Sequence, residues 1–106
     1  MNPEPPPPAL DLLVIGALTV DHFADGVVAP GGTVLHAVRA ASGAGHRVGA
    51  ITQAGPEPTA RAGIAELRAL STSVLADEAP SSVAFGHDDS GGARALRLIA
   101  GPARQL

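Results

Sequence analysis

The apolar positions of the chain change spacing three times, and each change predicts a different kind of element. Leu12-Leu13-Val14-Ile15 is a short continuous apolar run closed by Gly16, which predicts a strand buried on both faces of a parallel sheet. Ala17-Leu18-Thr19-Val20 then leads to Asp21, and the stretch from Phe23 to Pro30 reads as a short excursion ending in Gly31-Gly32. From Thr33 the spacing becomes helical. Leu35, Val38 and Ser42 share one face, with Val34 and Ala41 beside them, and Gly43-Ala44-Gly45 stops the helix. Val48 to Thr52 reads as a second strand, and Gly55-Pro56-Glu57-Pro58 turns the chain into a second helix whose Ile64, Leu67 and Leu70 face the sheet. Strand, helix, strand, helix predicts a parallel α/β layer. After Leu70 the pattern becomes alternating: Val83, Phe85 and His87 fall on one side of Ser82–His87. Asp88 to Gly92 is a turn cluster, and Ala93 to Ala100 alternates again through Leu96 and Leu98, which predicts an antiparallel hairpin.

Composition narrows the class. With 106 residues, 45% hydrophobic and 16% charged, the chain is one small domain or a piece of a larger one, and disorder along its whole length is excluded. Two Phe, one Met and no Trp or Tyr leave a core of Val, Leu, Ile and Ala. Residues 1–9, with Pro3 and Pro5 to Pro8, are expected to be a disordered, extended tail, and residues 10–106 the folded unit. A net charge of −3, no Lys and seven scattered Arg argue against a nucleic-acid partner. The absence of Cys removes disulfides, thiolate metal sites and cysteine nucleophiles, and fits the cytoplasm. No basic n-region opens the chain and no apolar run reaches membrane length, so no signal peptide and no membrane partner are expected.

The candidate chemistry lies between residues 14 and 38. Asp21 stands just past a strand, at the carboxyl edge where open α/β sheets bind ligands. Gly31-Gly32 opens a helix, a position that presents backbone N–H groups and lets a ligand come close. The alternative makes Asp21 a turn or capping residue and the glycines loop punctuation. Gly43 to Gly49 does not qualify as a dinucleotide fingerprint, because it precedes a strand instead of following one, and a Rossmann-type unit ranks last. His22, His46 and His87 are isolated from any second ligand at metal spacing. His22 reads as an exposed loop residue, although its place beside Asp21 could bring it to a substrate, and His87-Asp88-Asp89 reads as a solvated hairpin turn. Arg94 and Arg97 read as exposed solubilising charge. No catalytic residue and no metal site is assigned.

Val14-Ile15-Gly16 with Asp21, then Gly31-Gly32 opening a helix, then Gly45-His46-Arg47-Val48-Gly49-Ala50-Ile51-Thr52, resembles the start of the ribokinase-like (PfkB) carbohydrate kinases. Gly91-Gly92-Ala93-Arg94 in the last hairpin resembles the turn of that family's paired lid strands. The resemblance spans residues 10–106. It implies a partial ribokinase-like parallel sheet with flanking helices and an antiparallel lid-type hairpin, the truncated N-terminal part of a kinase domain.

By that resemblance Asp21 accepts hydrogen bonds from two hydroxyls of a polyhydroxy substrate, and Gly31, Gly32 and His36 complete the substrate contacts. His36 stands where the family usually has Asn, and the Asp21–Gly31 loop is shorter than in many members. The family's catalytic G-A-G-D-like motif and its ATP pocket do not occur in this chain. The resemblance therefore implies a full-length form that uses ATP and Mg to phosphorylate a sugar, polyol or nucleoside hydroxyl, with no cofactor expected for this chain alone. The alternative is a non-catalytic binding or interaction module derived from that fold. In either case exposed sheet edges are expected to favour self-association or pairing with another chain.

Overall fold

The computed structural model describes residues 9–88 and 95–101. The tail expected over 1–9 and the Gly91–Arg94 turn lie outside the described residues, apart from Ala9. Nine elements follow in chain order: β1 (Leu12–Ile15), β2 (Thr19–Phe23), β3 (Val28–Gly31), α1 (Thr33–Gly43), β4 (Val48–Ala54), α2 (Pro58–Leu70), β5 (Ser73–Glu78), β6 (Val83–Asp88) and β7 (Ala95–Ala100). β1, β4 and β5 form a parallel sheet in the order β1-β4-β5. The second sheet has the order β3-β2-β6-β7, in which β2 runs antiparallel to β3 and parallel to β6, and β6 runs antiparallel to β7. The expected α/β class, the two helices and the final hairpin are all present.

Both helices form for the reasons their sequences give. α1 buries Val34, Leu35 and Val38, and ends where Gly45 takes φ 87°, a conformation glycine adopts without strain. α2 begins with Pro58, whose missing N–H would be unpaired in a first turn anyway. Its Leu67 is fully buried, while Ile64 and Leu70 pack partly buried against the core. The helices meet the parallel sheet through Val48, Ala50 and Ala54 of β4, and α2 also reaches the second sheet. Gly63 is what permits that approach: a Cβ there would lie 2.7 Å from a Leu18 methyl and 2.8 Å from the Pro30 ring. Across the outer surface of the helix pair, Arg39 donates to both oxygens of Glu66, holding the Glu66 carboxyl below its usual range.

Two expectations needed correction, and one strand was not foreseen. β1 is not buried on both faces, since Leu13 and Ile15 are 54% and 62% exposed. The described helices cover one face only, and on the other Ile15, Ile51 and Leu75 line up across β1, β4 and β5, with Leu13 two residues earlier on the same face of β1. The excursion from Phe23 to Pro30 is instead a hairpin. Asp25 accepts from the Val27 N–H at 3.0 Å, Gly26 takes φ 87°, and β2 pairs directly with β3. Ser73–Glu78 is a strand that sequence pattern did not announce, and it completes the parallel sheet beside β4.

One polar knot joins the two sheets. The Ser82 hydroxyl accepts from the Gly55 N–H at 2.7 Å and donates to Glu57 at 2.8 Å, while the Ser82 N–H donates to the other Glu57 oxygen at 2.9 Å. The end of β4, the start of α2 and the entry to β6 are thereby fixed together. Burial pushes the Glu57 carboxyl up, but donation from Ser82 outweighs it and the group sits below the usual carboxylate range. Among the described residues, no helix is long and apolar enough to cross a membrane.

Candidate functional site

β2 alternates Thr19, Asp21 and Phe23 on one face, as a strand of period two must. The Thr19 hydroxyl donates to Asp21 Oδ1 at 2.9 Å, so one lone pair of the carboxylate is already used and its orientation is set. β3 brings Gly31 back opposite Thr19, and there is no room for a side chain: a Cβ on Gly31 would overlap Asp21 Oδ2. Gly32 follows with φ 94° and ψ 158°, a region only glycine occupies without strain, and a Cβ there would lie 2.7 Å from the Ala17 carbonyl oxygen. From this point α1 departs with no side-chain cap and no acidic residue in its first turn. The arrangement places a carboxylate, an acceptor of hydrogen bonds only, beside a glycine backbone that opens a helix N-terminus.

Of the four residues singled out from sequence, Asp21 and Gly31 touch, and Gly32 adjoins them. His36 lies one turn into α1, exposed, with its N–H donating to the Gly32 carbonyl at 3.2 Å. His22 lies within β2 and is exposed, so it is a strand residue where a loop was expected.

His87 differs most from expectation. It is not part of a solvated turn. Its Nε2 lies 3.6 Å from Asp21 Oδ2, with side-chain exposures of 15% and 13%, and its ring stacks on Phe23 with centroids 4.7 Å apart. Thr19, Phe23 and His87 were therefore missed as neighbours of Asp21. Alternation along β2 could have found the first two. His87 arrives through the parallel pairing of β2 with β6, which matches Phe23 to His87 across a long sequence separation.

A second concavity, a cleft of about 630 Å³, opens at the carboxyl ends of β4 and β5 against α2. Arg61, Arg68, Asp77 and Glu78 put both signs of charge on its lining, which includes none of Asp21, Gly31, Gly32 or His36. Among the described residues, no group of three or more His, Asp or Glu side chains could hold a metal ion.

No protein-family model matches the chain, and no curated protein sequence does. Solved structures do resemble it. A fructokinase from Halothermothrix orenii superposes with a TM-score of 0.71 at 14% identity, covering 86% of this chain and 38% of that one. A sugar kinase from Pyrococcus horikoshii, itself uncharacterized, gives 0.68 at 20% identity over 83% of this chain and 35% of that one. A pyrophosphate-dependent kinase in the ribokinase family, solved with a pyrophosphate analog and myo-inositol, gives 0.65 at 20% identity over 85% and 32%. The chain spans about a third of the length of each. With its parallel sheet, its two helices and its paired antiparallel strands, the chain has part of the fold of the ribokinase-family sugar kinases.

Proposed function

We propose that this chain supplies the acceptor-side contacts of a carbohydrate kinase, a cytoplasmic protein whose full-length form transfers phosphate from MgATP to a hydroxyl of a sugar, polyol or nucleoside. The observation that carries this reading is the Asp21 carboxylate, oriented by Thr19 and backed by Gly31 at the start of α1. Asp21 accepts hydrogen bonds from substrate hydroxyls. The Gly31-Gly32 backbone bounds the same surface, and His36, one turn into α1, is proposed to contact the substrate from the position where the family usually has Asn. The likeness to sugar kinases, one of them solved with myo-inositol, supports the polyhydroxy class.

Neither described helix N-terminus suits the phosphates of a nucleoside triphosphate. Glu57 stands at the N-terminus of α2 and Asp21 beside that of α1, so each helix end that could cradle phosphates faces a carboxylate.

Asp21→Asn tests the acceptor role. The amide oxygen still accepts from Thr19, whereas one acceptor oxygen becomes a donor. Hydrogen bonds to a charged group contribute about 1.5–3 kcal/mol, so binding of a polyol should weaken roughly 10- to 150-fold. Titration calorimetry beside thermal unfolding separates the alternatives: a fall in melting temperature with binding intact would make Asp21 a structural residue.

Pairing with a second chain through the open sheet surfaces is part of the same proposal. Ile15 and Leu75 are 62% and 67% exposed on one face of the parallel sheet, and Leu96 and Leu98 are exposed on β7. Sedimentation at increasing concentration should show a reversible rise in mass, reduced by Ile15→Lys with Leu75→Lys. A monomer at all concentrations would contradict it.

A further inference from the structure

We propose that Glu57 is a positioning residue of the acceptor site: it holds Ser82 at the entry to β6 and thereby sets where the Asp21 carboxylate stands on β2. This rests on the reading of Asp21 as the acceptor-binding carboxylate. A chain of contacts joins the two residues. Glu57 takes both donors of Ser82, the hydroxyl at 2.8 Å and the backbone N–H at 2.9 Å, one on each carboxylate oxygen. The same hydroxyl accepts from the Gly55 N–H at 2.7 Å, which anchors it to the end of β4. Val83, the next residue, opens β6 in register with Thr19 of β2. The Thr19 hydroxyl then donates to Asp21 Oδ1 at 2.9 Å.

Glu57 occupies the N-cap of α2, where an acidic side chain commonly accepts from the N–H groups of the first turn. It makes no such bond, and both of its oxygens are spent on Ser82 at the entry to the other sheet. Ser82 is 3% exposed, so solvent does not replace a partner withdrawn from it. β2 is held at its start from two sides, by the Leu18 N–H on the Gln53 carbonyl at 3.1 Å and by the parallel ladder with β6. Without the Ser82 knot the ladder loses its fixed end, and Thr19 and Asp21 move with it.

The test compares Glu57→Gln, Ser82→Ala and Ser82→Thr by NMR in the ¹⁵N- and ¹³C-labelled chain, with myo-inositol as the probe. In Glu57→Gln one oxygen still accepts, while the other becomes a donor facing a donor of Ser82. Affinity for myo-inositol should fall roughly 2- to 30-fold, the range for residues that act on a site through packed neighbours. Ser82→Ala should lower it likewise, and carries the same comparison should Glu57→Gln fail to fold. Ser82→Thr keeps the hydroxyl and should stay close to wild type. Before any ligand is added, the Thr19 amide and Asp21 carboxyl-carbon signals should shift in Glu57→Gln and Ser82→Ala. In a Thr19→Val background, which already lacks the bond to Asp21, Glu57→Gln should add little further loss. A purely structural Glu57 would lower the melting temperature but leave those signals and the affinity of the folded chain unchanged, which overturns the proposal. Penalties of Glu57→Gln and Thr19→Val that simply add overturn it as well. If myo-inositol does not bind saturably to the wild-type chain, or if Asp21→Asn leaves its binding unchanged, the acceptor-site reading fails and this proposal fails with it.

Discussion

Gly32→Ala is expected to destabilise the chain more than any other single change around the site. Two costs combine. The backbone at φ 94° and ψ 158° is a conformation that alanine adopts only under strain, at about 1–3 kcal/mol. The added methyl would also sit 2.7 Å from the Ala17 carbonyl oxygen, a backbone atom that cannot swing aside, and overpacking of this kind costs a further 1–3 kcal/mol or so. Relief requires the β3–α1 junction to move away from the strand that carries Thr19 and Asp21. Melting temperature should fall by about 10 °C or more, at about 4–8 °C per kcal/mol for a domain of this size. A change within about ±0.5 kcal/mol, the range for inert surface positions, would show that the junction is not held as described.

Leu35→Ala is the second large effect. Leu35 is fully buried on the face of α1 that packs against β1 and β4, and its truncation leaves a cavity with little freedom to collapse. Such changes cost about 2–5 kcal/mol, a large part of the 5–15 kcal/mol that ordinary domains possess. Leu75→Ala, measured at a dilution where sedimentation shows the monomer, is the matched control. Its side chain is 67% exposed on the open face of the parallel sheet, so the urea midpoint should scarcely move. Comparable losses at the two positions would mean that the open face is covered in solution, for example by a second chain.

Much of this architecture was legible in the sequence, for reasons that differ element by element. α1 and α2 announce themselves because a helix that buries one face must repeat its apolar residues at helical spacing, and Leu35, Val38 and Leu67 do so between clear stop and start signals. β1 was legible as a strand, but its burial was not. A continuous apolar run records two apolar faces without recording what covers them. β5 escaped notice because Ser73-Val74-Leu75-Ala76-Asp77-Glu78 has only two large apolar residues, and its pairing with the central strand β4 decides its conformation. The β2–β3 hairpin was hidden by Pro30 and by a turn built on Asp25 and Gly26 within an otherwise featureless stretch. At the site, Asp21 and the glycines were visible as a local pattern. His87 was not, because a strand pairing between distant segments leaves no trace in local spacing.

The surface around Asp21 is proposed to bind a polyhydroxy acceptor. The most direct test is to map where such a compound lands on the ¹⁵N- and ¹³C-labelled chain as myo-inositol and fructose are titrated in. Saturable shifts are expected at Thr19, Asp21, Gly31 and Gly32, their affinity lowered roughly 10- to 150-fold by Asp21→Asn, with the signals of Arg61, Ala65 and Glu78 unmoved. Shifts confined to those last three residues would place the ligand in the cleft between α2 and β5 and contradict the claim.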